Sequence, residues 1–320
     1  MNRILTLIFA LLFSLSPAVA DSLKIKSEPI TNFRIGSDQS RFGKLEFIGG
    51  LILTSKHENF GGISAIRFVN DNNFIAITDK ARVITGTLQR KNGKPHKIKG
   101  EKITRIKSAN GKTITGAQDK DSESIDMTGN QFLVGYERND RIMRFNLRGR
   151  KLIADDSYLV DLEPFDFPNN KGPEAIAFDH SSRKLFAFAE YALNENGDHQ
   201  GFVISGGKVE RRISVKEANG FSLTDASFLP NGDLLMLERY YNPFLGAYMR
   251  IRRIDKADLT GESILDGEVL VDIGKNHEID NMEGLAVSEM EDGSTRLTIV
   301  SDDNFSKDQR TLLLEFALVD

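Results

Sequence analysis

The stretch Glu174–Glu190, EAIAFDHSSRKLFAFAE, holds two apolar runs of strand length, with a polar turn between them and an acid at each end. The same pattern occurs five times, with an acidic or small residue at its start. The first residue and the closing acid of the copies are Ser64 and Asp79, Glu123 and Glu137, Glu174 and Glu190, Asp225 and Glu238, and Glu283 and Asp302. The starts are spaced by 59, 51, 51 and 58 residues. Repeats of about 40–50 residues, or slightly more, built from short strands are typical of a β-propeller.

The repeat count predicts an all-β protein, a β-propeller with five four-stranded blades. Six blades are the alternative, if Ser22–Phe47 and Ile84–Ala117 contain a degenerate blade. The last repeat lacks an outer strand, whereas the apolar segment Lys44–Thr54 has no blade of its own. We therefore expect this N-terminal strand to close the last blade, because such a join leaves no open sheet edge. The spread of the repeats predicts that residues 21–320 form a single domain.

The first twenty residues have the features of a signal peptide. Arg3 is followed by an apolar run from Ile4 to Leu15 and by the small residues Ala18-Val19-Ala20. The run is shorter than the roughly 20 residues that a membrane helix needs. We expect an exported protein that begins near Asp21, is periplasmic or secreted, and has no membrane span after cleavage.

The composition excludes several chemistries. The chain has no cysteine, which rules out disulfides, thiol catalysis and thiolate metal sites. Its net charge of −4 does not favour nucleic acid as a partner. The five histidines form no zinc motif, and neither a nucleophile elbow nor a phosphate-binding glycine loop is present. If the protein hydrolyses a substrate, metal-activated water is the favoured nucleophile, and no catalytic residue can be assigned.

The repeated acids predict a cation site. One position of every blade faces the central axis, so that a repeated acid becomes a ring of acids, and converging carboxylates repel unless a cation or protons intervene. Oxygen ligands favour Ca²⁺, with Mg²⁺ or Mn²⁺ as the next choices. The alternative is that these acids accept hydrogen bonds from neighbouring blades. The candidate metal ligands are Glu123, Glu174, Asp225, Glu283 and Asp302.

The closing acids and their basic neighbours predict a rim that binds an anionic substrate beside the cation. Surface salt bridges are the alternative interpretation. The aromatic loop Tyr240–Tyr248 either walls a pocket or packs on the adjacent blade. The candidate substrate-binding residues are Asp79, Glu137, Arg138, Glu190, Glu238, Arg239, Tyr241, Asp303 and Arg310.

Several phrases together resemble one known family. They are Phe60-Gly61-Gly62-Ile63-Ser64, Gly172-Pro173-Glu174-Ala175-Ile176, Leu223-Thr224-Asp225-Ala226, Asn281-Met282-Glu283-Gly284-Leu285 and Ser301-Asp302-Asp303-Asn304-Phe305. The chain resembles the phytase-like family, also described by an esterase-like activity of phytase and found in exported bacterial proteins, from about Phe42 to Phe316. The resemblance implies calcium ions held by acidic side chains and a phosphomonoester bound over them.

Three functions follow from these observations. The first is an exported, calcium-dependent hydrolase of phosphomonoesters or related esters that uses metal-activated water. The second is a non-catalytic propeller that binds a ligand or a protein, with ions that only stabilise it. The third is a lactonase-like calcium hydrolase. The first and third require a small anionic or ester ligand as partner.

Overall fold

A computed structural model describes residues 23–165, 167–168, 171–261 and 264–319. The predicted signal peptide lies outside the described residues. The described strands form five sheets, which confirms the five-bladed propeller and excludes the six-bladed alternative. Two short 3-10 helices, Glu163–Phe165 and Asp258–Thr260, lie in connections between strands. No helix in the described ranges is long and apolar enough to span a membrane.

Blades one and two are four-stranded antiparallel sheets with strands in chain order. The strands of blade one are β4 (Ile63–Phe68), β5 (Asn73–Thr78), β6 (Arg82–Lys91) and β7 (Lys94–Arg105). Those of blade two are β8 (Ser122–Thr128), β9 (Gln131–Tyr136), β10 (Arg141–Arg148) and β11 (Lys151–Asp161). The predicted turn at Asn92-Gly93 joins β6 to β7, and both residues have positive φ angles, 53° and 75°, as a tight hairpin turn requires.

Blades three and four have the same architecture. The strands of blade three are β12 (Pro173–Asp179), β13 (Lys184–Leu193), β14 (His199–Ser205) and β15 (Lys208–Val215). Those of blade four are β16 (Ser222–Phe228), β17 (Leu234–Asn242), β18 (Gly246–Ile254) and β20 (Glu268–Ile273). The short strand β19 (Ile264–Leu265) leaves blade four and pairs in parallel with β15. This pairing covers the outer edge of blade three.

The two ends of the chain meet in blade five. Its strands from the C-terminal side are β21 (Asn281–Glu289), β22 (Thr295–Asp302) and β23 (Thr311–Leu318). The N-terminal strand β3 (Leu45–Thr54) pairs antiparallel with β23, as predicted, and closes the ring. Two further strands were not predicted: β1 (Lys26–Ile30) and β2 (Arg41–Phe42) both pair with β3.

The cores of the protein lie between neighbouring blades. Each of the five buried apolar clusters draws side chains from two adjacent sheets, including the cluster between blade five and blade one. The middle strands are therefore apolar on both faces, as in Leu185–Ala189 of β13. Burial of this extent explains why the fold needs no disulfides for its stability.

The channel between the inner strands is closed by one arginine. Arg67 of β4 is 5% exposed and forms ion pairs with Asp225 of β16, at 2.8 Å, and with Asp126 of β8, at 3.0 Å. Its guanidinium also donates to the carbonyl oxygens of Ile66, Ile176, Ala226 and Leu285. These partners lie on the inner strands of all five blades. Arg67 thus separates the two mouths of the channel.

Candidate functional site

Every inner strand carries a β-bulge near its start. The pairing of each inner strand with its neighbour skips one residue, and such a bulge redirects a side chain out of the regular alternation. The skipped residues are Ser64, Glu123, Glu174, Thr224 and Glu283. Three carboxylates therefore point toward one mouth of the channel, from blades two, three and five.

The second ring comes from the residue that closes the second strand of each blade. In all five blades, the backbone of this residue pairs with the inner-strand residue that lies two positions before the bulge. The residues at this position are Asp79, Glu137, Glu190, Arg239 and Asp302. Because neighbouring strands are antiparallel, this ring lies at the same mouth as the first.

The two rings enclose a cavity of about 310 Å³. Eight carboxylates line it, together with three cationic side chains and two asparagines. The carboxylates belong to Asp79, Asp121, Glu123, Glu137, Glu174, Glu190, Glu283 and Asp302. The other lining residues are Arg138, Lys171, Arg239, Asn281 and Asn304. We call this space the acidic cavity.

Two groups of three carboxylates within the acidic cavity have the spacing of metal ligands. One group is Asp121, Glu123 and Glu137, and the other is Glu137, Glu174 and Glu190. In each group one oxygen per residue lies within 4.8 Å of the others. Glu137 belongs to both groups and is only 3% exposed.

Six carboxylates of the acidic cavity have raised pKa values. Burial is the main cause, and repulsion among neighbouring carboxylates adds to it. The pKa of Asp79 is raised to about 6, those of Glu137 and Glu283 to about 7, and that of Asp302 to about 8. Burial also raises the pKa values of Glu123 and Glu174 well above the ordinary range. The ionised cavity is therefore costly without added positive charge.

The cationic side chains offset only part of this charge. Arg239 binds Glu190 with an N–O distance of 2.9 Å and Glu283 with one of 3.0 Å, and Lys171 also binds Glu190. Arg138 binds Asp121 at 2.6 Å. Within the described ranges, Glu123 and Glu174 have no hydrogen bond or ion pair. The remaining donor set consists of oxygen atoms, and such a set fits a hard divalent cation.

Blade four departs from the predicted pattern by one residue. Its bulge falls on Thr224, so Asp225 occupies the inward position that a small residue holds in the other blades. There Asp225 is fully buried, binds Arg67, and accepts a hydrogen bond from the Leu285 amide at 2.7 Å. Asp225 therefore does not line the acidic cavity, and we leave it out of the cation site.

The same displacement affects the closing acid of blade four. Glu238 pairs with Leu223 in the sheet, and Arg239 occupies the position that the closing acid holds in the other blades. Glu238 is 1% exposed and forms an ion pair with Arg252 inside the blade. It is not among the residues that line the acidic cavity.

Three further candidates lie outside the acidic cavity. Asp303 accepts hydrogen bonds from the Gly62 amide at 3.0 Å and the Thr311 hydroxyl at 2.9 Å, so it ties blade five to blade one. Arg310 binds Glu278 at 2.6 Å. Tyr241 lines a neighbouring cleft instead.

Four cavity residues were not among the candidates: Asp121, Lys171, Asn281 and Asn304. A signal existed in the sequence for three of them. Asp121 and Asn281 precede the acids Glu123 and Glu283 by two positions, where strand alternation returns a side chain to the same face. Asn281 indeed donates to Glu283 at 2.7 Å. Asn304 belongs to the oxygen-rich sequence Asp302-Asp303-Asn304, and no comparable pattern marks Lys171.

The comparison with protein families gives one match. The family described as phytase-like, with an esterase-like activity of phytase, matches residues 58–305. No curated protein sequence matches this chain.

Solved structures match this chain at low sequence identity and with TM-scores below 0.5. The PQQ-bound aldose sugar dehydrogenase from Streptomyces coelicolor is 11% identical, with 92% of this chain and 99% of that one covered and a TM-score of 0.43. A putative oxidoreductase (glucose dehydrogenase) from Thermus thermophilus is 11% identical, with 80% and 97% covered and a TM-score of 0.40. Hydrazine synthase from Kuenenia stuttgartiensis is 13% identical, with 77% and 78% covered and a TM-score of 0.41.

Proposed function

The chain belongs to the phytase-like family, and we propose that it is a calcium-dependent hydrolase of phosphomonoesters or related esters with its site in the acidic cavity. The observation that carries the proposal is the crowding of eight carboxylates against three cationic side chains in about 310 Å³. Buried carboxylates at this density are stable only with protons or cations between them. The absence of cysteine and the oxygen-only donor set favour Ca²⁺.

The residues that would hold the cation are those of the two carboxylate groups. Glu123 and Glu174 are the strongest candidates, because no partner in the described protein satisfies them. Glu137 stands between them and would contribute to either group. A bound Ca²⁺ would polarise a phosphoryl or carbonyl oxygen and lower the pKa of a water molecule.

The cationic side chains of the acidic cavity suit the substrate's anionic group. Arg239 reaches carboxylates from blades three and five, and its guanidinium can present two parallel N–H donors to a phosphate. The neighbouring Glu283 carboxylate is the largest influence on the pKa of Arg239 and raises it, although burial opposes the charge. Arg239 therefore remains charged at any working pH. In this proposal it orients the substrate and the carboxylates hold the cation.

Calcium binding is tested first by a thermal melt of the purified protein after chelation. Increasing Ca²⁺ is expected to raise the melting temperature in a saturable way, and more than Mg²⁺ does, because a cation that binds only the native state stabilises it. Turnover is then measured with 4-nitrophenyl phosphate, 4-nitrophenyl acetate and a γ-lactone. Glu123→Gln and Glu174→Gln are expected to abolish both the calcium response and the turnover, because both residues belong to the carboxylate groups.

A non-catalytic ligand-binding propeller is the second candidate. The observation in its favour is that no histidine, the commonest general base, is among the described residues that line the acidic cavity. The same experiment separates the two functions. A saturable calcium response without turnover of any ester would favour the binding protein, and no calcium response would reject the cation site itself. Export from the cytoplasm stays a prediction from the N-terminal sequence.

A further inference from the structure

A second cavity lies beside the acidic cavity. Its volume is about 570 Å³, within the roughly 300–1,000 Å³ of typical ligand pockets. It shares three lining residues with the acidic cavity: Arg239, Asn281 and Asn304. A molecule could therefore occupy both spaces at once. We call the second cavity the tyrosine cleft, because three tyrosines line it: Tyr240, Tyr241 and Tyr248.

Two of the three tyrosines are held by ring contacts: Tyr240 and Tyr248 are paired in the sheet and lie on one face of blade four, whereas Tyr241 pairs with Ala247 and lies on the other face. Tyr240 lies between Phe221 and Tyr248, with ring centroids 5.7 Å and 5.9 Å away. The Asn242 amide reaches the Tyr240 hydroxyl at 3.3 Å. A Cβ at Gly274 would come within 2.3 Å of the Tyr248 ring, so only glycine lets the backbone pass there. Tyr241 differs from the others, because 63% of it is exposed.

Apart from the tyrosines, the lining of the tyrosine cleft is mostly polar and carries little positive charge. Ala247 and Ile279 are apolar, and the polar side chains are amides, a hydroxyl and carboxylates: Asn281, Asn304, Gln309, Ser306, Asp280 and Asp308. Among the described lining residues, Arg239 is the one cation, and Glu190 and Glu283 already bind it. Such a surface suits neutral hydroxyl groups better than further phosphates.

The loop that joins the two cavities has an unusual backbone. Asn304 and Phe305 have φ angles of 48° and 51°, and a bulky residue rarely adopts such a conformation. Asp303 holds the turn by accepting a hydrogen bond from the Phe305 amide at 3.0 Å. The Lys80 ammonium group lies 3.0 Å from the centre of the Phe305 ring. These contacts keep Asn304 at the junction of the two cavities, where backbone strain of this kind often marks a functional position.

We propose that the tyrosine cleft binds the neutral, hydroxyl-bearing ring of the substrate while the ester group reaches the acidic cavity. The ring packs on the exposed Tyr241, and its hydroxyls bind the polar side chains that line the cleft. The inference rests on the proposed function for the ester group. It also narrows the range of substrates. Among the described lining residues of the cleft, a ring with many phosphates would meet carboxylates and a single arginine, to which carboxylates are already bound.

The test uses two ring probes without an ester group, phenol and methyl β-D-glucopyranoside. Saturation-transfer NMR titrations measure their binding to the purified protein, with chelator and with Ca²⁺. Tyr241→Ser is expected to weaken binding at least fivefold, and Tyr241→Phe to leave ring contact intact. Phe244→Ser is the matched control, because Phe244 lies in the same hairpin, is 91% exposed and does not line the cleft.

The outcomes separate the two proposals. Ring binding that Tyr241→Ser weakens and Phe244→Ser preserves supports the cleft, and the tighter probe identifies a phenolic or a sugar ring. No binding of either probe, or equal losses in both variants, overturns it. Ring binding without a calcium response would uphold the cleft and reject the cation site. A calcium response without ring binding would uphold the cation site and overturn the proposal for the tyrosine cleft.

Discussion

Blades three and four carry nearly the same acidic phrase but use it differently. In blade three, Glu174 and Glu190 face the acidic cavity. In blade four, Asp225 and Glu238 face the protein interior and bind arginines. A shift of one residue in strand pairing moves a side chain to the other face of the sheet. Repeated acids in a propeller can therefore be site residues in one blade and structural ion pairs in the next.

The one-residue shift in blade four also changes the charge of the acidic cavity. Blade four contributes Thr224 and Arg239 where blade three contributes two carboxylates. The cavity is therefore asymmetric: both carboxylate groups come from blades two and three, as do Arg138 and Lys171, whereas blade four contributes the guanidinium of Arg239 and no carboxylate. A cation and an anionic group can occupy such a cavity side by side. A symmetric ring made only of acids would offer no place for the anion.

The largest difference between the two blades is expected in stability. Asp225→Asn should lower the free energy of unfolding by about 3–5 kcal/mol, because it leaves the buried Arg67 without its main counter-charge. In chelator, Glu174→Gln should not lower the free energy of unfolding, because it removes a carboxylate that repels its neighbours. Urea denaturation of both variants measures the difference. Equal losses would mean that Glu174 also has a structural role.

The calcium response should distinguish the closing acids. At a Ca²⁺ concentration about one hundred times Kd, the wild-type protein should gain about 2.7 kcal/mol. Glu137→Gln should lose this gain, because Glu137 belongs to both carboxylate groups. Glu238→Gln should retain it even if its melting temperature falls, since Glu238 lies away from the cavity. A calcium response lost in both variants would place the cation elsewhere.

The pH dependence of stability should come largely from the acidic cavity. The pKa values of Glu137, Glu283 and Asp302 are raised to about 7, 7 and 8. The folded state therefore binds more protons than the unfolded state, and stability in chelator should fall as the pH rises from about 4 to 8. Each unit of raised pKa corresponds to about 1.4 kcal/mol.

Melting curves in chelator between about pH 4.5 and 8.5 measure this dependence. Saturating Ca²⁺ should reduce the slope, because the cation replaces the protons. The variant Glu137→Gln should also have a shallower slope than the wild type. A stability that is constant over this range in chelator would contradict the assignment of protons to the cavity.

The smallest effect is expected from Arg239 itself. Arg239→Gln should tighten Ca²⁺ binding by roughly tenfold or less, on the order of 1 kcal/mol, because it removes a like charge beside the site. The same variant should raise KM for 4-nitrophenyl phosphate more than for 4-nitrophenyl acetate, which has no anionic group. Calorimetric titration and steady-state kinetics measure the two effects. Weaker Ca²⁺ binding would show that Arg239 positions the carboxylates.

The repeat pattern predicted much of the fold and part of the site. The spacing of the five phrases led to five blades, and the surplus strand at Lys44–Thr54 led to ring closure, as found. The acids of blades two, three and five were placed at one mouth of the channel. In blade four, Asp225 was wrongly aligned with Glu174, because the sequence Asp225-Ala226 resembles Glu174-Ala175. The buried Leu223, which aligns with Met282 before the bulge of blade five, was the residue that could have indicated the true register.

The sequence by itself determined the sheets, their number and the closure of the ring, because alternation and turn residues are local properties that repeat along the chain. Only the tertiary structure decided which acids meet. Bulges and strand register depend on pairing between segments, and Arg67, which binds Asp225, has partners on five blades, up to 218 residues away from Arg67 in the chain. The acidic cavity and the tyrosine cleft are likewise products of packing, because their lining residues come from separate blades brought together around one axis.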